Sequence, residues 1–166
     1  MNEKLKQYIE RNLVIEKKSK ITNMFRCAKI KDMLYDSDEC LQENIIGYID
    51  NNINNNLFQT LLFKYIDDRN LKDSDVYNKV HLDRRLFSKI RSNSDYHPSK
   101  ETVILLGFAL ELSENEIVEF LDSASYSLPK NNYYDLIIRF CFAEGIYKIK
   151  DVNELLASYN CKLFNY

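Results

Sequence analysis

From Leu57 to Tyr159 the chain is a succession of short segments in which apolar residues recur every three or four positions. This spacing places the apolar side chains on one face of a helix. No segment shows the period-two alternation of an amphipathic strand over a useful length. The 166 residues also include only 3 Gly and 2 Pro, too few turn residues for a β-sandwich or a Gly-rich nucleotide-binding fold. The sequence therefore predicts an all-α fold.

The apolar stripes and the capping residues beside them place the individual helices. Asp83 is a capping residue, and Ser113 with Glu116 forms a capping-box pattern before the next stripe. Gly145 is a natural C-terminal stop. We expect helices over residues 57–68, 76–80, 84–91, 102–112, 114–123, 133–143 and 152–159. The segment 102–112 is apolar almost all round, which predicts that it is the central, most buried helix.

The residues before Leu57 form a different kind of segment. We expect an N-terminal arm over residues 1–50, with a basic and an acidic part, and a helical domain over residues 57–166. Within the arm, residues 4–14 carry a stripe that predicts a short amphipathic helix. The run from Asn51 to Asn56 predicts a break, because Asn favours turns and caps over helix interiors.

Charge is unevenly distributed along the chain. The net charge of -2 suggests no nucleic-acid partner. However, residues 1–31 contain 9 Lys and Arg against 3 acids, and residues 81–100 contain 5 against 2. Acidic stretches flank this second basic island. Local charge decides whether a surface meets phosphate, so the island keeps DNA binding open.

The five helices between Leu57 and Leu121 have very short connections, and only His81, Leu82 and Asp83 separate the second from the third. This layout is typical of a helix-turn-helix inside a five-helix bundle. The string from Val76 to Ile90 (VYNKVHLDRRLFSKI) resembles the Cro/repressor-type, xenobiotic-response-element-like helix-turn-helix family. The resemblance implies a five-helix repressor-like bundle, extended here by two C-terminal helices and the N-terminal helical arm.

The string from Asp83 to Thr102 (DRRLFSKIRSNSDYHPSKET) is similar more narrowly to a helical module at the C-termini of bacterial macro-domain and stress-signalling proteins. Residues 109–112, the closing helices through Phe164 and, weakly, residues 7–10 share this similarity. The chain itself has no Gly-rich phosphate loop of a macro domain. The narrower resemblance implies a stand-alone accessory module that recognises DNA or a protein, and it carries over no catalytic residue.

The resemblance implies that the third helix enters the major groove of double-stranded DNA. Arg pairs bidentately with guanine and Lys neutralises phosphate, so the function predicted is sequence-specific DNA binding in regulation, as a homodimer. The expected DNA-binding residues are Arg84, Arg85, Ser88, Lys89, Arg91, Ser99 and Lys100. Two residues depart from the family pattern. His81 stands where the turn usually has Gly, and Tyr77 stands where a small residue usually lets the helices approach.

The main alternative is a protein-interaction adaptor in stress or defence signalling that uses the same fold without DNA. The chain contains 12 Tyr and 9 Phe, most of them on the inward stripes. A smaller set points inward less clearly: Tyr77, Tyr96, Tyr126, Tyr147 and Tyr166. Together with the acidic C-terminal part, these residues favour a protein-binding surface.

The arrangement of potentially catalytic and metal-binding residues in the sequence does not favour an enzyme. Paired carboxylates occur at Asp67 and Asp68 and at Asp73 and Asp75, where a helix end and a cap explain them. Residues 36–39 are acidic but lack the Gly and the final Glu of a calcium-binding loop. We therefore expect no catalytic residue, no cofactor and no metal site.

The cysteines are spaced irregularly and form no C-x-x-C pair (Cys27, Cys40, Cys141, Cys161). Such cysteines are typical of small buried side chains in a reducing compartment. No apolar stretch reaches the length of a membrane span, and no apolar signal core follows Met1. We expect a cytoplasmic protein without a membrane partner.

Overall fold

The computed structural model describes residues 3–10, Ile45, 57–93 and 96–165. In these residues all regular secondary structure is helical, which confirms the all-α prediction. We label residues 3–10 as α1. The helices that follow are α2 (Leu57–Asp68), α3 (Asp73–Lys79), α4 (Arg84–Ser92), α5 (Lys100–Ala109), α6 (Glu114–Ser123), α7 (Tyr133–Ala143) and α8 (Ile149–Ser158).

The helix bounds agree with the sequence pattern to within one residue except at three N-termini and at the C-terminus of α5, which ends at Ala109 and not at residue 112. Helices α3, α5 and α8 begin two or three residues earlier than expected, at Asp73, Lys100 and Ile149. The prediction that Asp73 and Asp75 precede α3 as caps was wrong, because both lie in its first turn. The carboxylate of Asp75 there accepts a hydrogen bond from the backbone N–H of Lys72 at 3.4 Å. Acids in a first turn are stabilised by the helix dipole, so they do not mark the boundary.

Helix α5 is the centre of the core, as its composition predicts. Most of its side chains are inaccessible to solvent, and it contacts both α3 and α6. A Cβ atom at Gly107 would lie 2.5 Å from Ile117 Cδ1 and 3.2 Å from Phe142 Cζ, so glycine lets α6 and α7 approach. The ring of Phe108 stacks on Phe142 with centroids 4.3 Å apart. Tight packing of this kind resists changes in side-chain volume.

The same C-terminal capping motif occurs at the ends of six helices. A residue just past each of α2, α3, α5, α6, α7 and α8 is left-handed, with φ between 52° and 68° (Asn70, His81, Glu111, Ser125, Gly145, Asn160). The next residue donates its N–H to a carbonyl five positions back, as Leu82 does to Tyr77 at 2.8 Å. This is the Schellman pattern, in which glycine is the least strained residue. Only Gly145 follows that preference, and the left-handed His81 confirms the departure noted in the sequence.

The two ends of the described chain pack on this core. In α1, Leu5 and Ile9 are buried, and the ring of Tyr8 lies edge-on to Phe140 with centroids 5.5 Å apart. Near the C-terminus, the side chain of Asn153 exchanges two hydrogen bonds with the backbone of Phe164, each 2.9 Å. The remainder of the arm predicted over 1–50 lies almost wholly outside the described residues. The division into an arm and a domain therefore stays a prediction.

In the part of the chain that is described, no helix has both the length and the apolar character needed to cross a bilayer.

Candidate functional site: the exposed face of α4

Helix α4 divides into a buried side and an exposed side. Phe87 and Ile90 are buried in the core, whereas Arg84, Arg85, Ser88 and Lys89 are exposed. We call these four exposed residues the α4 face. The helix is capped by Asp83, whose carboxylate accepts a hydrogen bond from the backbone N–H of Arg85 at 2.6 Å, as the sequence predicts. The cap engages Asp83 at the N-terminal end of the face.

Neighbouring helices hold α4 at both ends. On its N-terminal side, the turn through the left-handed His81 closes on α3 by the hydrogen bond from Leu82 to Tyr77. On its C-terminal side, Gln59 Nε2 of α2 donates to the carbonyls of Ile90 at 2.6 Å and Asn93 at 2.7 Å. These contacts give hydrogen-bond partners to carbonyls at the C-terminal end of α4, and the N–H of Tyr96 also donates to Asn93 at 3.1 Å. These contacts fix the position of α4 relative to α2 and α3.

The first turn of α4 carries two cations that have no partner among the described residues. The guanidinium groups of Arg84 and Arg85 make no ion pair, hydrogen bond or ring contact with any described residue. One turn further, Lys89 Nζ lies 4.4 Å from the ring centroid of Tyr96. This contact is a cation–π interaction, and the lysine remains exposed. The side chain of Ser88 lies between these cations on the same exposed side.

Arg91 is engaged within the molecule. Its Nη2 atom forms an ion pair with Asp73 Oδ1 of α3 at 2.7 Å, and its guanidinium lies 4.3 Å from the ring centroid of Phe63. The same ion pair balances the negative charge of Asp73. Asp73 therefore does not repel an anion that binds at the α4 face. The structure thus gives Arg91 a structural role beside the α4 face.

Ser99 and Lys100 are also used internally, at the start of α5. Ser99 Oγ accepts a hydrogen bond from the N–H of Thr102 at 3.3 Å and lies 2.9 Å from its hydroxyl. Lys100 Nζ contacts Asp135 Oδ1 of α7 at 2.5 Å. Asp135 is the one charged residue with a buried side chain among the described residues, and Asn132 Nδ2 donates to it at 2.7 Å. Lys100 therefore neutralises a buried carboxylate.

A groove of about 400 Å³ runs beside the α4 face, between α3 and α4. Tyr77, the bulky residue noted in the sequence, covers part of it and contacts Phe87 with ring centroids 5.7 Å apart. Arg84 and Ser88 line one wall and Lys72 and Ser74 lie opposite. Tyr77 thus fills the space between the helices, and Arg84 stays exposed at the rim.

The remaining tyrosines of the alternative prediction do not form an open aromatic surface. Tyr96, Tyr126 and Tyr147 are half-buried and pack against the core. The hydroxyl of Tyr126 donates to the carbonyl of Pro98 at 3.0 Å and lies 3.3 Å from His97 Nδ1. His97 is therefore held at the loop before α5. Tyr166 is outside the described residues.

The described cysteines are protected thiols. Burial raises the pKa of Cys141 to about 12 and also raises the pKa of the half-buried Cys161. A thiol is a poor nucleophile when its pKa is raised. Cys27, Cys40 and the acidic residues 36–39 lie outside the described residues. In the described part, no group of three or more His, Cys, Asp or Glu side chains is arranged to hold a metal ion.

One cationic region was not foreseen from the sequence. Lys148 and Lys150, at the start of α8, line a cleft together with Lys79 and His81 from the end of α3. These two pairs of residues are far apart in the chain, and no motif connects them. Only the packing of α8 against the rest of the domain reveals the arrangement.

Comparisons with protein-family models, curated proteins and solved structures find no match to this chain.

Proposed function

We propose that this chain is a sequence-specific double-stranded DNA-binding protein with a regulatory role. In this proposal α3, the turn through His81 and α4 act as a helix-turn-helix within a repressor-like bundle formed by α2 to α6. Helices α7 and α8 are then the C-terminal extension. The observation that carries the proposal is the exposure of Arg84 and Arg85, without internal partners in the described chain, in the first turn of α4.

Residues at the start of a recognition helix reach the base edges in the major groove. Arg donates two parallel hydrogen bonds to the O6 and N7 atoms of guanine, which distinguishes guanine from the other bases. Ser88 and Lys89 follow one turn later, where a hydroxyl and an ammonium contact bases or phosphates. Four side chains of this kind suit both the base contacts that give sequence specificity and the phosphate contacts that position a protein on DNA.

Charge near the α4 face favours an anionic partner despite the acidic net charge of the chain. Asp73 is neutralised by Arg91, and Asp83 and Asp75 accept backbone hydrogen bonds at helix N-termini. The basic side chains of the face have no such internal acid. Acidic residues elsewhere act over a longer distance and are screened by salt beyond about 10 Å.

Symmetric dimers of helix-turn-helix proteins read two half-sites about one helical turn apart. We propose that this chain also binds as a homodimer, because one short helix offers few base contacts. Sedimentation equilibrium with and without DNA tests the stoichiometry.

Fluorescence anisotropy of the full chain with labelled random duplex DNA tests the proposal at about 50 mM and about 200 mM salt. We expect binding that weakens steeply with salt. Arg84→Ala and Arg85→Ala should each reduce the affinity for a preferred duplex by about tenfold. Lys64→Ala is the matched control, since Lys64 is exposed on α2 without a partner in the described residues. Absence of binding at the lower salt concentration rejects the proposal.

One observation favours the adaptor alternative. Val118 is 41% exposed in the middle of α6, beside a groove of about 310 Å³ that Glu119, Asp122 and Leu128 also line. Arg139 lines the groove as well, but it is paired with Glu114 at 2.8 Å, so it does not balance the two acids. An exposed apolar side chain in an acidic groove suits a basic peptide segment with an apolar anchor. A protein that fails to bind DNA but associates with a partner through Val118, and loses that association in Val118→Glu, supports the adaptor.

A further inference from the structure

A second concave region lies between the turn that follows α3 and the start of α8. It is a cleft of about 450 Å³ lined by Lys79, His81, Glu111, Tyr147, Lys148, Ile149 and Lys150. We call it the lysine cleft. Arg84 and Ser88 line the separate groove between α3 and α4, so the lysine cleft is a different site from the α4 face.

The charge in the lysine cleft is positive and largely unneutralised. Lys79 Nζ is paired with Glu111 Oε1 at 2.6 Å, which balances one lysine against the only acid in the lining. Lys148 and Lys150 are exposed and have no partner among the described residues. Two ammonium groups therefore line the cleft without a counter-charge in its lining, and His81 lines it as well.

The wall behind these cations is apolar. Ile149 is buried, and the half-buried ring of Tyr147 packs against Phe142 with centroids 6.3 Å apart. An apolar wall excludes water from one side of a bound ligand, which strengthens the attraction between opposite charges there. Concave shape, unpaired cations and an apolar wall together distinguish the cleft from lysines on a flat surface.

We propose that the lysine cleft binds a phosphate group. Lysine ammonium groups bind phosphate as compact charges through charge-assisted hydrogen bonds. The phosphate belongs either to a small phosphorylated molecule or to the backbone of DNA held by the α4 face. His81 makes the second source possible, because it lies in the turn that leads into α4. That second source rests on the proposed function, whereas the first does not.

Amide chemical shifts of the full chain, titrated with inorganic pyrophosphate, test phosphate binding directly. We expect saturable shifts confined to residues 79–82, 111 and 147–151. The double variant Lys148→Gln/Lys150→Gln should weaken binding by about tenfold, and Lys64→Gln should leave it unchanged. Loss of two exposed, unpaired lysines does not threaten the fold, so a loss of binding reports on the cleft.

A gain of affinity provides a second readout. Glu111→Gln removes the one acid of the lining and releases Lys79 from its ion pair. We expect pyrophosphate to bind several-fold more tightly to this variant, because the cleft gains one net positive charge. A destabilised fold does not produce such a gain.

Duplex DNA distinguishes the two sources. If the phosphate belongs to DNA, Lys148→Gln/Lys150→Gln lowers DNA affinity and reduces the salt dependence by about one charge per lost contact. If it belongs to a small molecule, DNA binding is unchanged while pyrophosphate binding is lost. A chain that does not bind DNA rejects the proposed function, and the pyrophosphate titration still decides this proposal. The proposal is overturned if pyrophosphate causes no saturable shifts at the cleft and the double variant binds DNA normally.

Discussion

Replacing Lys100 with methionine should destabilise the fold and leave DNA affinity intact. Lys100 belongs to the DNA-binding residues expected from the sequence, but its ammonium lies 2.5 Å from the buried carboxylate of Asp135. The side chain of Asp135 is only 6% exposed, so Lys100→Met leaves an almost completely buried charge without its cation. Methionine keeps most of the length and apolar volume of the lysine stem, which confines the change to the charge.

The expected loss follows from the geometry of the pair. Removing one partner of a fully buried ion pair costs about 3–5 kcal/mol. Lys100 retains 29% exposure, and Asn132 Nδ2 continues to donate to Asp135 at 2.7 Å. Water and this hydrogen bond recover part of the cost, so we expect a loss of about 2 kcal/mol in the free energy of unfolding. For a chain of this size that corresponds to a Tm lower by about 4–8 °C.

Urea denaturation followed by circular dichroism measures the change in stability. Lys100→Met, Asp135→Asn and the double variant complete a cycle whose coupling energy reports on the pair. Lys64→Met is the control for loss of an exposed lysine. An unchanged urea midpoint for Lys100→Met, combined with a tenfold loss of DNA affinity, refutes the reasoning, because Lys100 then contacts DNA and not Asp135.

The other predictions concern backbone strain and alkaline pH. Ser125→Gly should raise the free energy of unfolding by about 0.5–1 kcal/mol, because Ser125 is left-handed at φ 58°. Gly145→Ala, at φ 68°, should lower it by about 1 kcal/mol for the same reason. Urea denaturation measures both changes, and equal effects of the two substitutions would contradict this reasoning. The contribution of Cys141 to the stability should be constant up to about pH 9 and then decrease, because this thiol loses its proton near its ordinary pKa of 9.0 when unfolded but only near 12 when folded. The stability of the parent relative to Cys141→Ala should therefore decrease between about pH 9 and pH 12, and an increase of this difference would contradict the prediction. Peptide mapping after iodoacetamide at pH 8 should show Cys161 modified faster than Cys141; equal rates would show that Cys141 is accessible.

Structural features that depend on only a few neighbouring residues could be predicted from the sequence. The capping box of Ser113 with Glu116 and the cap of Asp83 both appear as expected, because each needs only residues within three positions. The central position of α5 also follows from its composition alone. The early start of α3 was missed because the same acids suit a cap and a first turn.

The features that could not be predicted from the sequence depend on contacts between residues far apart in the chain. A lysine beside Ser99 resembles a phosphate contact until α7 brings Asp135 to it, 35 positions further along the chain. Arg91 carries the same charge as Arg84, but only the packing of α3 pairs it with Asp73. Pattern and charge therefore predicted a basic face on α4, and contacts with other helices determine which of its cations have an internal partner.

Selection of bound duplexes from a random library tests most directly whether the α4 face reads DNA sequence. The full chain should enrich one motif containing guanine, and Arg84→Ala or Arg85→Ala should relax the preference for guanine at one position of it. The Lys64→Ala variant should enrich the same motif as the parent. Failure to enrich any motif, or an identical motif from the Arg84→Ala/Arg85→Ala double variant, would contradict the assignment of α4 as the recognition helix.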